Sequence, residues 1–335
     1  MRGWLIAALV AAALWTAYWF AGARGVDLVL EDGFAAASRA GLVAGHDGLT
    51  VTGFPARFDA SLTRPHLQDP ARGIGWSAPG LDLSARALQP LHITAELPRQ
   101  QSLTLPDQDV AIASSNLSLT VRLQAGTSLP LGFAGLEGNG LSLLSSAGWT
   151  AAAARVTLDL TALPKDPLGQ DLHLSATSIT PDEGFRRRLA LRSGLPELIR
   201  SVQVDAGLGL SAPLDRRMGQ TRPQLTALHL RDARLVWGEL TVSAKGELQR
   251  GPDGLAEGRL LLRVQGWRDL LAVMLAAGWV KPELEPTLSK AMEVLAEETR
   301  KADPDSPPQT LDLPLVLSGG WIRLGPLPLG PVPPF

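Results

Sequence analysis

The sequence predicts a mainly β protein with a few helices, built as a long antiparallel curved sheet or as a sandwich or open barrel, preceded by one N-terminal transmembrane helix. Three observations predict it. Apolar residues recur at every second position along most of the chain, 34 glycines and 26 prolines among 335 residues punctuate those runs, and one long uncharged stretch opens the chain. With 45% hydrophobic and 19% charged residues, the composition is that of a packed, turn-rich fold rather than a disordered one.

From Trp4 to Ala23 no residue is charged. About 20 residues at 1.5 Å each match a hydrocarbon core of about 30 Å, so residues 1–23 are expected to be an uncleaved anchor. Trp15, Tyr18, Trp19 and Phe20 read as an aromatic belt at its outer end, and Trp4 marks the other. The competing reading is a signal peptide cleaved after Ala21-Gly22-Ala23, although the apolar run exceeds the usual h-region. Arg2 on one side and Arg24, offset by Asp27, on the other favour an N-terminus inside. The expected location is the inner membrane, crossed once, with the C-terminal domain in the periplasm.

Residues 24–47 read as a membrane-proximal helix, with Leu30, Phe34, Ala37 and Leu42 roughly on one face. Residues 48–335 read as a β-rich domain, because the period drops from 3.6 to 2 near Leu49. Leu117, Leu119 and Val121 alternate with polar residues, as do Leu240, Val242 and Ala244, and Leu260 and Leu262 continue the pattern. Gly251-Pro252-Asp253-Gly254 supplies hairpin geometry, and the whole reads as an antiparallel meander. Helical insertions are expected near 181–200, as a helix pair broken at Gly194, and near 267–302, as two amphipathic helices. The stretch from Asp303 to Pro308 reads as a linker, and Gly325 to Gly330 is too proline-rich for a central strand.

The formal charge of −2 and the scattered basic residues argue against a nucleic-acid partner. Without cysteine there is no disulfide, thiolate site or cysteine nucleophile. His46, His66, His92, His173 and His229 never stand at metal-ligand spacing, and no nucleophile elbow or phosphate loop is present, so no catalytic, cofactor or metal residue is assigned. Arg186-Arg187-Arg188 could meet anionic lipid head groups or could simply be a solvated helix face. The positive signal is apolar strand faces. Leu117, Leu119, Val121, Leu240, Val242, Ala244, Leu260 and Leu262 are core or line a groove for an apolar ligand.

Gly48 to Asp59, reading GLTVTGFPARFD, resembles a Gram-negative envelope family known as domain of unknown function 2125. The likeness extends through Trp76-Ser77-Ala78-Pro79, Gln89-Pro90-Leu91-His92-Ile93, Trp237-Gly238-Glu239-Leu240, Gly251 to Gly258 and Gly266-Trp267, nearly the whole chain; Ala56 is smaller than the family pattern leads one to expect. The family is uncharacterised, so the resemblance carries over no functional residue. Within its motif, Gly53 permits an unusual backbone, Pro55 stops ladder bonding, Phe54 and Phe58 would plug one end of the sheet, and Arg57 and Asp59 are the charged members. More distantly, the architecture resembles AsmA-like periplasmic proteins, which implies a lipid-related role by fold analogy alone.

The resulting expectation is a non-enzymatic protein that binds or transfers inner-membrane lipid in envelope maintenance. A scaffold that binds other envelope proteins, through the region from Leu284 to Leu295 for example, is the alternative. An enzyme would need a cleft collecting His92, Asp59 and Arg57.

Overall fold

Period-2 alternation becomes strand throughout. The computed structural model describes residues 2–307, 309–324 and 327–332, without the side chains of 2–8 and 327–329, and divides into two units. The first unit comprises Met1–Asn139, Leu143–Gly148 and Leu214–Arg222; the second comprises Gly140–Ser142, Trp149–Pro213 and Pro223–Phe335. Every strand pairing described is antiparallel.

The first unit opens with helix α1 (Arg2–Arg39), so the expected anchor and membrane-proximal helix are one continuous element. It stops where Gly41 takes φ +88° and Leu42 N–H closes back on the Ala37 carbonyl, a left-handed cap that glycine adopts freely. Among the described residues no helix is long and apolar enough to cross a membrane. Trp4 to Ala8 of the expected span lie outside the described side chains, and charged residues enter from Arg24 onward.

The following strands are β1 (Val43–Gly45), β2 (Gly48–Thr52), β3 (Arg57–Thr63), β4 (His66–Asp69), β5 (Ile74–Ser77), β6 (Gly80–Arg86), β7 (Gln89–Leu97), β8 (Gln100–Leu105), β9 (Gln108–Ala113), β10 (Asn116–Leu123) and β11 (Leu131–Ser145). They do not form a simple meander. One ladder runs β2, β3, β6, β7, β10, β11 and another β1, β4, β5, β8, β9. The chain changes ladder at two-residue corners: Arg64-Pro65, Ala78-Pro79, Pro98-Arg99 and Ser114-Ser115. Proline removes a ladder donor at the first three, and two of the corners bond to one another, Arg64 N–H to Pro79 O (3.1 Å) and Ala78 N–H to Pro65 O (3.2 Å).

The second unit is the predicted meander: β12 (Thr150–Leu163), β13 (Asp166–Thr180), β14 (Ile199–Leu210), β15 (Leu225–Trp237), β16 (Leu240–Arg250), β17 (Ala256–Gln265), β18 (Thr310–Ser318), β19 (Trp321–Leu324) and β20 (Leu327–Pro331) pair in sequence order. The proline-rich β20 pairs only with β19 among the described residues, as an edge strand can. Between β13 and β14 stands one helix, α2 (Glu183–Ala190), not the expected pair. Asp182 caps it by accepting from Phe185 N–H (2.9 Å), Gly194 and Pro196 forbid a second helix, and Ile199 already begins a strand. The short α3 (Met218–Thr221) belongs to the first unit. The two expected late helices are α4 (Trp267–Ala276) and α5 (Glu285–Ala302). Glycine is obligatory at Gly246 and Gly258, where a Cβ would lie 2.1 Å from a carbonyl oxygen of the paired strand.

Registers put Leu158, Leu174, Val204, Ala233, Ala244, Leu262 and Leu313 side by side on one face of β12 to β18, and their neighbours Leu160, Leu172 and Leu230 on the same face. Asp159, His173, Asp205, Arg234, Ser243, Arg263 and Asp312 line the other. Helices α2, α4 and α5 close one end of the apolar face around Trp237, Leu240, Val264, Trp267 and Leu311. A smaller cluster around Leu248, Ala256, Leu317 and Val332 closes another part of it.

Candidate functional site

In the first unit, α1 is held to the ends of β2, β3, β6 and β7. Trp15 Nε1–H donates to Pro55 O (3.0 Å), Tyr18 O–H to Ala87 O (2.6 Å) and Trp19 Nε1–H to Arg57 O (2.7 Å). Trp19 is 5% exposed and stacks on Phe58, itself 4% exposed, with ring centroids 5.9 Å apart. A Cβ on Gly22 would stand 2.5 Å from the Phe58 ring, so the helix approaches this closely only because position 22 is glycine. Three of the residues expected to form an aromatic belt, Trp15, Tyr18 and Trp19, are docking groups here: each donates to a backbone carbonyl near a strand end.

The motif GFPARFD is the socket. Gly53 turns the chain at φ +100°, where a Cβ would meet Arg57 O and Asp59 Oδ2 at 2.8 Å. The Phe54–Pro55 bond is cis. Phe58 plugs the socket as expected, but Phe54 does not: it is 52% exposed, packed edge-on to Trp19 (5.4 Å) and beside exposed Phe20 (6.3 Å), because the turn at Gly53 points it outward.

The polar face of the same strands forms a cleft of about 890 Å³ lined by Arg57, Asp59, Asp82, Ser84, Arg86, His92 and Glu96, with Leu88 at its rim. Pairing of β3 with β6 and β6 with β7 therefore gathers His92, Asp59 and Arg57, the set an enzyme would have required. Their hydrogen bonding is that of a positioned ion pair rather than an activated nucleophile. Arg57 Nε–H donates to Asp59 Oδ1 (3.1 Å), Arg57 Nη2–H to Ser84 Oγ (2.7 Å), and Ser84 O–H to that same carboxylate oxygen (2.7 Å). Ser61 O–H donates to Asp82 Oδ1 (2.7 Å). Asp82, Ser84, Arg86 and Glu96 were not singled out in the sequence, yet the alternation Asp82-Leu83-Ser84-Ala85-Arg86 carries the signal.

In the second unit, Leu240 is core and Val242 and Leu262 pack against it, while Leu260 packs against the smaller cluster. Ala244 and the residues Leu158, Leu160, Leu172, Leu174, Val204 and Leu230 belong to neither cluster and are half-buried. In the first unit Leu117 is buried, and Leu119 and Val121 are half-buried in register with Ala95 and Ile93. The arginine run is engaged within the protein: Arg186 pairs with Glu197 (3.0 Å), Arg187 with Glu183 (3.2 Å), and Arg188 Nε–H donates to Ala276 O (2.9 Å). His173 pairs with Asp205 (2.7 Å) and His229 with Glu247 (2.9 Å), and among the described residues no three His, Asp or Glu gather as a metal site.

Residues 19–333 match the family described as an uncharacterized protein conserved in bacteria, DUF2125, and the chain belongs to it. No curated protein and no solved structure matches, so the likeness to AsmA-like proteins stays an expectation from the sequence.

Proposed function

We propose that this protein is tethered to the inner membrane by α1, with its β-rich units in the periplasm, and that the second unit accommodates acyl chains of membrane lipid without covalent chemistry. One observation carries the reading. The apolar residues Leu158, Leu160, Leu172, Leu174 and Val204 of β12 to β14, with Leu230 and Ala244, continue the apolar face beyond the two hydrophobic clusters and are only half-buried, which supports an apolar strip for a chain-like ligand.

The tether is supported by exposed Leu9, Val10 and Leu14 (67%) ahead of the docked segment. The docked end carries exposed Phe20, Phe54 and the 78%-exposed Leu88, side chains that suit the interfacial layer and would complete the anchor.

The test is native mass spectrometry of the full-length protein released from membranes. Co-purifying phospholipid, lost in Leu174→Asp at an unchanged unfolding midpoint, supports the reading; lipid-free wild-type protein overturns it. A scaffold is the second reading, favoured by the 78%-exposed Trp279 and by exposed Leu284 and Val294, all on the α4–α5 hairpin. A crosslinked envelope partner lost in Trp279→Ala, with lipid content unchanged, would select it.

A further inference from the structure

The cleft of the first unit is ordered by charge along its strands. Arg57 on β3 stands directly opposite Arg86 on β6, and His92 follows on β7 at the same end. Two residues further along, about 7 Å at strand rise, come Asp59, Ser84 and Thr94 in register; two further still come Ser61, Asp82 and Glu96. The cleft is thus basic at one end, carries the Arg57-bound Asp59 carboxylate between hydroxyls in the middle, and is acidic at the other.

Like charges directly opposite on paired strands repel. Asp59 offsets Arg57, whereas the side chain of Arg86 makes no ion pair or hydrogen bond among the described residues, and neither does that of Glu96. An unmatched cation and an unmatched anion face one cleft whose size lies in the range of small-ligand sites. A ligand that carries both charges satisfies both.

The basic end is also the end pinned to α1. Tyr18 bonds to Ala87 next to Arg86, Trp19 bonds to the Arg57 carbonyl, exposed Leu88 lines this rim, and exposed Phe54 and Phe20 pack together beside Trp19. We propose that the cleft binds the headgroup of an aminophospholipid, its phosphate at Arg57, Arg86 and His92 and its ammonium toward Asp82 and Glu96; this rests on the tethered reading above, which puts the basic end at the bilayer surface. Arginine suits the phosphate because its planar guanidinium presents paired donors. In a bilayer the phosphate lies nearer the acyl chains than the ammonium, the same order as along the strands.

The full-length protein in detergent micelles is titrated calorimetrically with glycerophosphoethanolamine, a headgroup without acyl chains, and with glycerophosphoglycerol, which keeps the phosphate and lacks the ammonium. The ethanolamine compound is expected to bind about tenfold tighter or more, a difference of about 1.4 kcal/mol. Arg86→Gln weakens both, and Glu96→Gln weakens only the ethanolamine compound. Both substitutions are at exposed positions that leave the core intact. Absent binding of the ethanolamine compound, equal affinity for the two, or unchanged binding in Arg86→Gln overturns the proposal. Lipid-free protein that still binds the probe counts against the acyl-chain reading alone; chain-carrying protein that ignores the probe overturns the headgroup site alone.

Discussion

Two glycines one turn apart on α1 offer a controlled perturbation. A Cβ at Gly22 would lie 2.5 and 2.9 Å from two carbons of the buried Phe58 ring, whereas at Gly25 nothing lies within 4 Å. Alanine gains about 1 kcal/mol of helix propensity over glycine at either position. At Gly22 that gain is opposed by overpacking, which costs about 1–3 kcal/mol when a buried ring cannot retreat. Gly22→Ala should therefore be less stable than Gly25→Ala by about 1–3 kcal/mol. For a unit of roughly 150 residues that separates the melting temperatures by several degrees, at about 2–4 °C per kcal/mol. Thermal unfolding of the full-length variants in detergent, followed by tryptophan fluorescence because Trp15 and Trp19 report on the docked helix, measures it. Equal melting temperatures would mean that α1 stands free as an ordinary span, and would sink the docked-helix geometry with everything built on it.

Other outcomes follow from the same contacts. Trp19→Ala should cost about 3–5 kcal/mol, while Trp19→Phe, which keeps most of the bulk and loses the donor to Arg57 O, should cost about 1 kcal/mol; urea midpoints separate the two. Gly258→Ala forces a Cβ into the carbonyl of Glu247 and should abolish cooperative unfolding of the second unit, where Gly194→Ala, with open space around it, should not. The Arg263 guanidinium, bonded to Asp312 through two 2.7 Å contacts, holds that carboxyl below its ordinary value of 3.8. A depressed folded-state value stabilises the fold above the unfolded-state pKa and is lost as pH falls through the folded one. The stability difference between wild type and Asp312→Asn should accordingly be flat above about pH 5 and shrink below about pH 4, read from urea unfolding across that range.

The period-2 runs at Leu117 to Val121, Leu240 to Ala244 and Leu260 to Leu262 fall on β10, β16 and β17, because alternation depends only on which side of a strand faces water, whereas the long strands β11, β13 and β15 were not singled out. The turn at Gly251 to Gly254, the two late helices and the proline-rich edge strand were legible for the same local reasons. The second helix expected before Arg200 was not, since Leu195 and Leu198 fit a helical stripe until Gly194 and Pro196 are given their full weight. The candidate site was legible in part. His92, Asp59 and Arg57 were recognisable as a set, and Leu240 as apolar and inward, but nothing local says that Leu240 is core while Leu174, of the same pattern, is packed by no cluster.

The sequence by itself determined the class of the fold, the turn at Gly251 to Gly254, the apolar first helix and the family, because each of these is written in short-range pattern or residue identity. Strand partners were decided only by the tertiary structure. A strand at Arg57–Thr63 has the same alternation whether it pairs with its neighbour in sequence or with β6, and proline corners that move the chain between two ladders select the latter. The fate of Trp15, Tyr18 and Trp19 was decided there too. Amphipathic rings suit a membrane interface and a row of backbone carbonyls equally well, and only the β2–β3 turn at Gly53 together with the β6–β7 turn at Ala87 brings those carbonyls within reach.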